Sequence, residues 1–363
     1  MRIAVLHNHD SSVIADDPGK EAREDVVQVA AAMVQALSSR DHQVLSIPVS
    51  DDFGSLQRAL KAHDAEMVVN LCESLAADSR GEMLVPALLD VLRLPYTGSS
   101  AMSLGLALHK EKAKDILRGR GVPTPAFHLI ERAEQLGDVD VSVPLIVKPA
   151  REDASVGIDF DSVVNDHASL KRSVTRVFEQ FKQPAIVEHF VDGREIYVPI
   201  LGNQSPRPLP LTEIRFTGMF ETKPKILTYR AKWHVDSTEC IDSPSTTAAL
   251  TPAETARCLD VAHRAFAALD CRDYGRIDLR LAADGTPWVI DINPNCDLHP
   301  KAGFAMAALT SGLSYADLAS HLVALAAERH HGNQTHRPAG QSATRRTAAQ
   351  DRDLHPRRSH VRT

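Results

Sequence analysis

The stretch that most constrains the fold is Gly275-Arg276-Ile277-Asp278-Leu279-Arg280, then an Asp284-Gly285 turn, then Trp288-Val289-Ile290-Asp291-Ile292-Asn293-Pro294-Asn295. Apolar and polar residues alternate on both sides of the turn, the pattern of two antiparallel strands with one face in a core. The alternation puts Arg276 and Asp278 on one face, and Asp291 and Asn293 on one face of the partner strand. The competing reading is an ordinary surface hairpin closed by acidic residues. A turn has no need, however, for Ile290-Asp291-Ile292-Asn293 to hold both polar groups on one side and both isoleucines on the other. Two carboxylates and an amide oxygen are hard ligands of the kind Mg²⁺ takes, and Mg²⁺ held by few protein groups completes its shell with water and substrate phosphates. The chemistry suggested is phosphoryl transfer from a nucleotide.

At 363 residues, 43% hydrophobic and 24% charged, the chain is long enough for two or three cooperating domains and fits no disordered or fibrous class. Its apolar runs fall far short of a bilayer span, and Met1-Arg2-Ile3-Ala4-Val5-Leu6-His7-Asn8 reads as a short strand and not as a leader, so a cytoplasmic enzyme with no membrane partner is expected. The five cysteines are scattered without a Cys-x-x-Cys pair, which suggests neither a disulfide framework nor a zinc site. Cys296 lies near the hairpin and reads as either a reactive or a packed thiol. From Arg329 onward, eight arginines against two aspartates give +6, which leaves the first 328 residues at −12. That end, poor in large apolar residues, reads as a disordered basic tail over 329–363; a solvated tail is the default for such composition, and no nucleic-acid partner is expected.

Strands and helices alternate from the start. Ile3 to His7, Val44 to Pro48 and Met67 to Leu71 read as strands, with helices over Glu21 to Arg40, Ser55 to His63 and Gly81 to Leu92, the layout of a parallel α/β sheet. Leu94 to Ser99 reads as a further strand with Ser99 capping the next helix, and Gly121-Val122-Pro123-Thr124-Pro125 as a linker. Pro144 to Pro149 is a strand carrying Lys148, followed by a polar loop with small residues, Arg151 to Ile158, whose amides and Ser155 hydroxyl suit phosphate oxygens. The loop is not a P-loop, and the chain has no Gly-x-Gly-x-x-Gly. Glu188 and Glu195 bracket a tight bend between two strands; two solvated carboxylates are an equal reading of that pair. Lys232 beside Trp233 adds another cation, for which a snorkelling surface lysine is the ordinary reading.

In this order the motifs resemble the ATP-grasp superfamily, and within it the D-alanine:D-alanine ligase-like branch, over residues 1 to 328. The resemblance is carried by Leu94 to Ser99, Ala107-Leu108-His109-Lys110, Gly121 to Pro125, Ile146 to Pro149 with Ser155-Val156-Gly157, Val187-Glu188 through Glu195, Ala231-Lys232, Gly275 to Asp278 and Asp291 to Asn293. It implies an α/β protein of ATP-grasp fold: an N-terminal parallel α/β domain over 1–105, a small lid subdomain over 106–205, and a subdomain with the metal hairpin over 206–328, the last two clasping ATP. It implies that Lys110, Lys148 and Lys232 contact ATP phosphates under the loop of Ser155 and Val156. Glu188, His189 and Val191 would form the adenine hinge, and Glu195 would bind the ribose. Asp278, Asp291 and Asn293 match the family's Mg²⁺ ligands, with Mn²⁺ as an alternative, and Arg276 would stabilise developing negative charge, with Ser155 and Lys232 completing the catalytic group. The loop around Ser155 is expected to close over nucleotide and to be mobile without it. The family's members are commonly homodimers.

The departures fall on the amino-acid sites. Where the family has a Glu-Val-Ser segment for the first substrate's amine, this chain reads Asp10-Ser11-Ser12 and then Glu21 to Val26. The family's Lys-Tyr pair is Lys232-Trp233, so the phenol that would bond to Ser155 and latch the loop is absent; an indole cannot accept that hydrogen bond. Ala302 stands where the family has a carboxylate-binding serine, and Lys301 or His299 are candidates for that cation, with Trp233 as a third substrate-facing residue. The expectation is an ATP-dependent carboxylate–amine ligase acting through an acyl phosphate on small amino-acid-like carboxylate and amine substrates. The alternatives are a true D-alanine:D-alanine ligase and a nucleotide-binding protein without turnover.

Overall fold

The computed structural model describes residues 1–9, 19–141 and 144–335. The Asp10-Ser11-Ser12 segment lies outside the described residues, as does the tail beyond 335.

A continuous apolar run makes β1 (Arg2–Asn8) the centre of a parallel three-stranded sheet, flanked by β2 (Gln43–Val49) and β3 (Met67–Asn70). Helices α1 (Lys20–Ser38) and α2 (Phe53–Ala62) cross over between them, the second started by the Asp52 carboxylate, which accepts from the Ser55 amide at 3.0 Å. Then follow α3 (Leu84–Leu92), α4 (Ala101–Leu108) and α5 (Lys110–Gly119). The expected strand over Leu94 to Ser99 is reduced to one parallel bridge between Tyr96 and Val68. The helix cap there is Ser100 and not Ser99, because the Ser99 hydroxyl is taken by the Arg272 amide.

The central unit is an antiparallel sheet in the order β4 (Phe127–Ile130), β7 (Ala185–His189), β5 (Leu145–Pro149), β6 (Val163–Val164), with α6 (His167–Phe181) packed against it. The third sheet runs β11 (Ser245–Thr247), β10 (Thr212–Ile214), β8 (Gly193–Leu201), β12 (Tyr274–Ala282), β13 (Pro287–Asn293), with β9 (Arg207–Pro208) on β8. Here the expected boundary at 205 is corrected: β8 pairs with β12 over nine residues, so the third sheet begins at Gly193. Short helices α7 (Tyr229–Trp233) and α8 (Thr238–Ile241) lie on its rim, and α9 (Pro252–Ala268) covers one face, started by a reciprocal Thr251–Glu254 cap with Pro252 at the first helical position.

The last helices, α10 (Gly303–Thr310) and α11 (Tyr315–Thr335), return to the first sheet: Phe304, Leu318 and Leu322 share a core with Ile3, Val5, Met33 and Leu37. The expectation of a disordered tail from 329 is therefore corrected for 329–335, which are helical. The reason is electrostatic: Arg329 donates to the fully buried Asp273 at 2.8 Å and to the Tyr96 carbonyl at 2.7 Å. No helix among the described residues is long and apolar enough to cross a membrane.

Asp273 also accepts from the Gly98 amide and Asn203, but removing its only cationic partner among the described residues leaves a buried charge. Arg329→Ala is expected to cost about 3 kcal/mol of unfolding free energy in a urea titration. A loss below about 1 kcal/mol would show that the two neutral donors alone satisfy the carboxylate.

Candidate active site

The hairpin of β12 and β13 forms as the alternation predicts, and its register sets Arg276 against Asn293 and Asp278 against Asp291 before a bulge shifts the pairing. Arg276 grips Asp278 with two bonds, Nε to Oδ1 at 2.6 Å and Nη2 to Oδ2 at 2.8 Å, while Asn293 donates to the same Oδ2 at 3.1 Å. The guanidinium also lies 4.5 Å from the Tyr197 ring centroid. Lys110, at the start of α5, bridges Asp153 at 3.0 Å and Asp291 at 3.5 Å.

Two facing carboxylates in one buried patch respond differently to their surroundings. Burial raises the Asp278 carboxyl above its ordinary value, with Asp291 and Glu195 adding to the rise and Arg276 opposing it. Burial pushes Asp291 the same way, but Lys110 and Lys148 outweigh it and hold that carboxyl below its ordinary value. Lys110 is raised, its two acidic partners overcoming desolvation, whereas Lys232 is lowered by burial and then by Arg276. The Cys296 thiol is raised by burial and is packed in the core, so the packed reading of that residue holds.

The small-residue loop is bent by Ala154, Ser155 and Gly157, all at left-handed φ of 55°, 62° and 77°. Only glycine fits at 157, where an added Cβ would come within 2.6 Å of Pro149 and 2.8 Å of Phe181. The expectation that losing the family's phenol leaves this loop without a latch is corrected. An indole cannot accept, but it can donate: Trp233 Nε1 gives its proton to the Ala154 carbonyl at 2.9 Å.

One cavity of about 440 Å³ between the second and third sheets gathers most of the predicted residues. Lys110, Lys148, Ser155, Val156, Glu195, Lys232, Trp233, Arg276, Asp278, Asp291, Asn293 and Lys301 all line it. Glu195 is buried, with one oxygen accepting from Tyr197 at 2.7 Å and the other 2.8 Å from Arg280. Glu188 is also buried, so neither carboxylate of that bend is a solvated one. Its side chain does not line the cavity; it pairs with Lys148 at 3.1 Å and Lys114 at 3.4 Å from behind the wall. His189 and Val191 line a different cavity of about 260 Å³ with Arg118 and Trp288, and His299 lines neither, its Nδ1 facing the Lys301 amide at 3.2 Å.

Sequence reasoning missed Lys114, although it sits one helical turn after Lys110 on the same face of α5. It also missed a second cavity of about 80 Å³, lined by Asp25, Glu73, Glu82 and Asp297, which shares Lys232, Trp233, Arg276 and Asn293 with the first. The signal for Glu73 was its place just beyond the carboxyl end of a parallel strand, where open α/β sheets collect ligands.

A family profile described as "D-ala D-ala ligase C-terminus" matches residues 116–324. The D-alanine–D-alanine ligase of Desulforudis audaxviator is 31% identical over 318 residues, 85% of this chain and 95% of that protein. The chain belongs to the D-alanine–D-alanine ligase family. An uncharacterized protein (y4sG) of Sinorhizobium fredii is 35% identical over 314 residues, 84% of this chain and 89% of the relative. The crystal structure of a D-alanine–D-alanine ligase from Bacillus anthracis complexed with ATP superposes with a TM-score of 0.72 at 21% identity, covering 92% of this chain and 99% of that one, which shows the ATP-grasp fold. Membership makes the protein an ATP-dependent ligase that forms carbon–nitrogen bonds.

The acidic cavity holds a strongly perturbed carboxyl. Burial pushes the Glu73 carboxyl from 4.5 up to about 8, helped by Asp297, Asp153 and Asp25 and opposed by Lys232. The folded protein therefore keeps a proton that the unfolded chain releases, and stability falls as pH rises between those two values. Glu73→Gln removes this term, so the melting temperature of the variant is expected to gain on the wild type from pH 5 to pH 8 by scanning fluorimetry. A gap that stays constant over that range would show that Glu73 ionises normally.

Proposed function

We propose that this cytoplasmic ligase joins an amino acid or amino-acid-like carboxylate to an amine, with ATP in the larger cavity and the amine-bearing substrate in the smaller one. The observation that carries the proposal is the shared wall: Lys232, Trp233, Arg276 and Asn293 line both cavities. A phosphoryl group and a substrate carboxylate can therefore meet there.

In this reading Lys110, Lys148 and Lys232 offset the triphosphate charge, and Glu188 with Lys114 behind it orients Lys148. The amides of the Ser155 loop, its left-handed turns forming a concave nest, receive phosphate oxygens. Glu195, held by Tyr197 and Arg280, serves the ribose. Asp278, Asp291 and Asn293 fit a hard cation: two carboxylates face each other across the hairpin, and like charge helps to raise the first of them. Bound there, Mg²⁺ or Mn²⁺ would supply charge neutralisation on the phosphates. A carboxylate oxygen of the donor attacks the γ-phosphorus and ADP leaves; the acceptor nitrogen then attacks the acyl carbon, phosphate departs and the nitrogen loses a proton. Arg276 stabilises the charge on the transferring group and on the tetrahedral oxyanion, and one such donor is worth about a hundredfold or more in rate.

Asp25, Glu73, Glu82 and Asp297 outnumber Lys232 and Arg276 as acidic groups in the smaller cavity, and their carboxyl oxygens suit an ammonium group as hydrogen-bond acceptors. At the other end, Ala302 starts α10 without a side-chain cap and Lys301 stands beside it on the rim of the larger cavity. This supports Lys301 as the cation for a substrate carboxylate. A homodimer is part of the same proposal and rests on the family alone.

The deciding assay is phosphate release from Mg²⁺-ATP against a panel of D- and L-amino acids and small amines, with products read by mass spectrometry. Turnover with a pair other than D-alanine with itself is expected. D-alanyl-D-alanine as the preferred product would make the altered positions tolerated substitutions, and no release with any pair would favour nucleotide binding without turnover. In the active pair, Lys301→Ala is expected to raise the acceptor KM about twofold to fivefold while the KM for ATP stays nearly constant; an unchanged acceptor KM would remove that role.

A further inference from the structure

Helix α7 has only five residues, Tyr229–Trp233, yet it ties three separate parts of the chain together. At its first residue the Tyr229 amide donates to the Ile158 carbonyl at 2.9 Å, and at its last the Trp233 indole donates to the Ala154 carbonyl at 2.9 Å. The two acceptors are the ends of the segment 154–158, so the helix spans the phosphate loop and grips it twice. Between the grips lie the left-handed Ala154, Ser155 and Gly157, a backbone path that local preference does not favour for alanine or serine and that contacts from outside must maintain. On its other side the Tyr229 hydroxyl donates to Glu21 at 2.7 Å, in the first turn of α1, the helix that also supplies Asp25 to the acidic cavity. Lys232 lies within the helix, its ammonium 5.0 Å from the Trp233 ring centroid.

We propose that α7 is a latch, with Trp233 and Tyr229 as positioning residues that hold the phosphate loop down over the nucleotide cavity and couple it to the wall of the substrate cavity through Glu21. The latch uses the loop's main chain and not the Ser155 hydroxyl, which leaves that hydroxyl for a phosphate oxygen. A donor-only indole is suited to this arrangement because a carbonyl is always an acceptor, whatever residue occupies position 154.

Trp233→Phe keeps a ring for packing and for Lys232 while deleting the donated proton. Hydrogen exchange of residues 151–158 in the nucleotide-free protein is expected to quicken about threefold to tenfold, the range set by the net worth of one neutral hydrogen bond. Ser155→Ala is expected to leave that exchange unchanged. Wild-type exchange in Trp233→Phe would overturn the proposal, whatever Ser155→Ala shows. Should Trp233→Phe not fold, Tyr229→Phe, which loses only its bond to Glu21, must also quicken exchange at 151–158, and no change there would overturn the coupling.

The exchange arm needs neither ATP nor substrate, so its failure is separable from failure of the ligase reading. The turnover arm rests on that reading. With an active substrate pair, Trp233→Phe should lower kcat more than it raises the KM for ATP, and should raise the ratio of phosphate released to product formed, since a loosened loop admits water. A purely structural role would leave that ratio at the wild-type value.

Discussion

Strand β12 and the residue just before it carry Asp273, Arg276, Asp278 and Arg280 through the interior, and the rest of the structure is arranged to make that tolerable. A buried charge without a partner costs several kcal/mol. Here each has one: Arg329 from the last helix for Asp273, Arg276 and Asp278 for each other, and Glu195 from β8 for Arg280. These pairings reach across the molecule, and two of them join segments far apart in sequence. The same strand holds apolar residues in two cores: Tyr274 packs with Phe304 against the first sheet, and Ile277 and Leu279 pack under α9. Charge pairing along one strand thus locks the N-terminal sheet, the third sheet and the C-terminal helices into one frame.

That frame leaves two hollows with a common wall. The larger hollow pairs its cations, Lys110 and Lys148 among them, with the acidic groups of the hairpin, whereas acidic groups outnumber cations in the smaller, where Asp25, Glu73 and Glu82 stand; Lys232 and Asp297 line both. Arg276 belongs to both hollows, and its place is set by a two-bond grip on Asp278 and by the face of Tyr197, not by the flexibility of its own chain.

The motifs near one another in sequence were legible because their periodicity encodes their geometry. Alternation in β12 and β13 put Arg276, Asp278, Asp291 and Asn293 on one face, and the structure keeps them there. The parallel sheet was legible from three apolar runs separated by amphipathic segments. The strand expected at Leu94 to Ser99 shrank to a bridge, where the Asn70 amide turns to the Thr97 hydroxyl, and the helix cap passed from Ser99 to Ser100 because Arg272, 173 positions away, takes the Ser99 hydroxyl. Trp233 was read as a loss because chemistry was compared residue for residue. The latch reappears with donor and acceptor on different atoms, and only the path of the backbone at Ala154 shows it.

The amino-acid sequence by itself determined the order of the elements and the shared face of Arg276, Asp278, Asp291 and Asn293 on the hairpin. Both depend on residues a few positions apart, where strand and helix periodicity dictates which side chains share a face. The tertiary structure alone decided which charges face each other across distance: Glu188 between Lys114 and Lys148, Arg329 on Asp273, and Glu73 among Asp25 and Asp297. Such meetings are set by how three sheets pack, and Coulomb interactions and desolvation depend on distance in space, to which sequence separation is no guide.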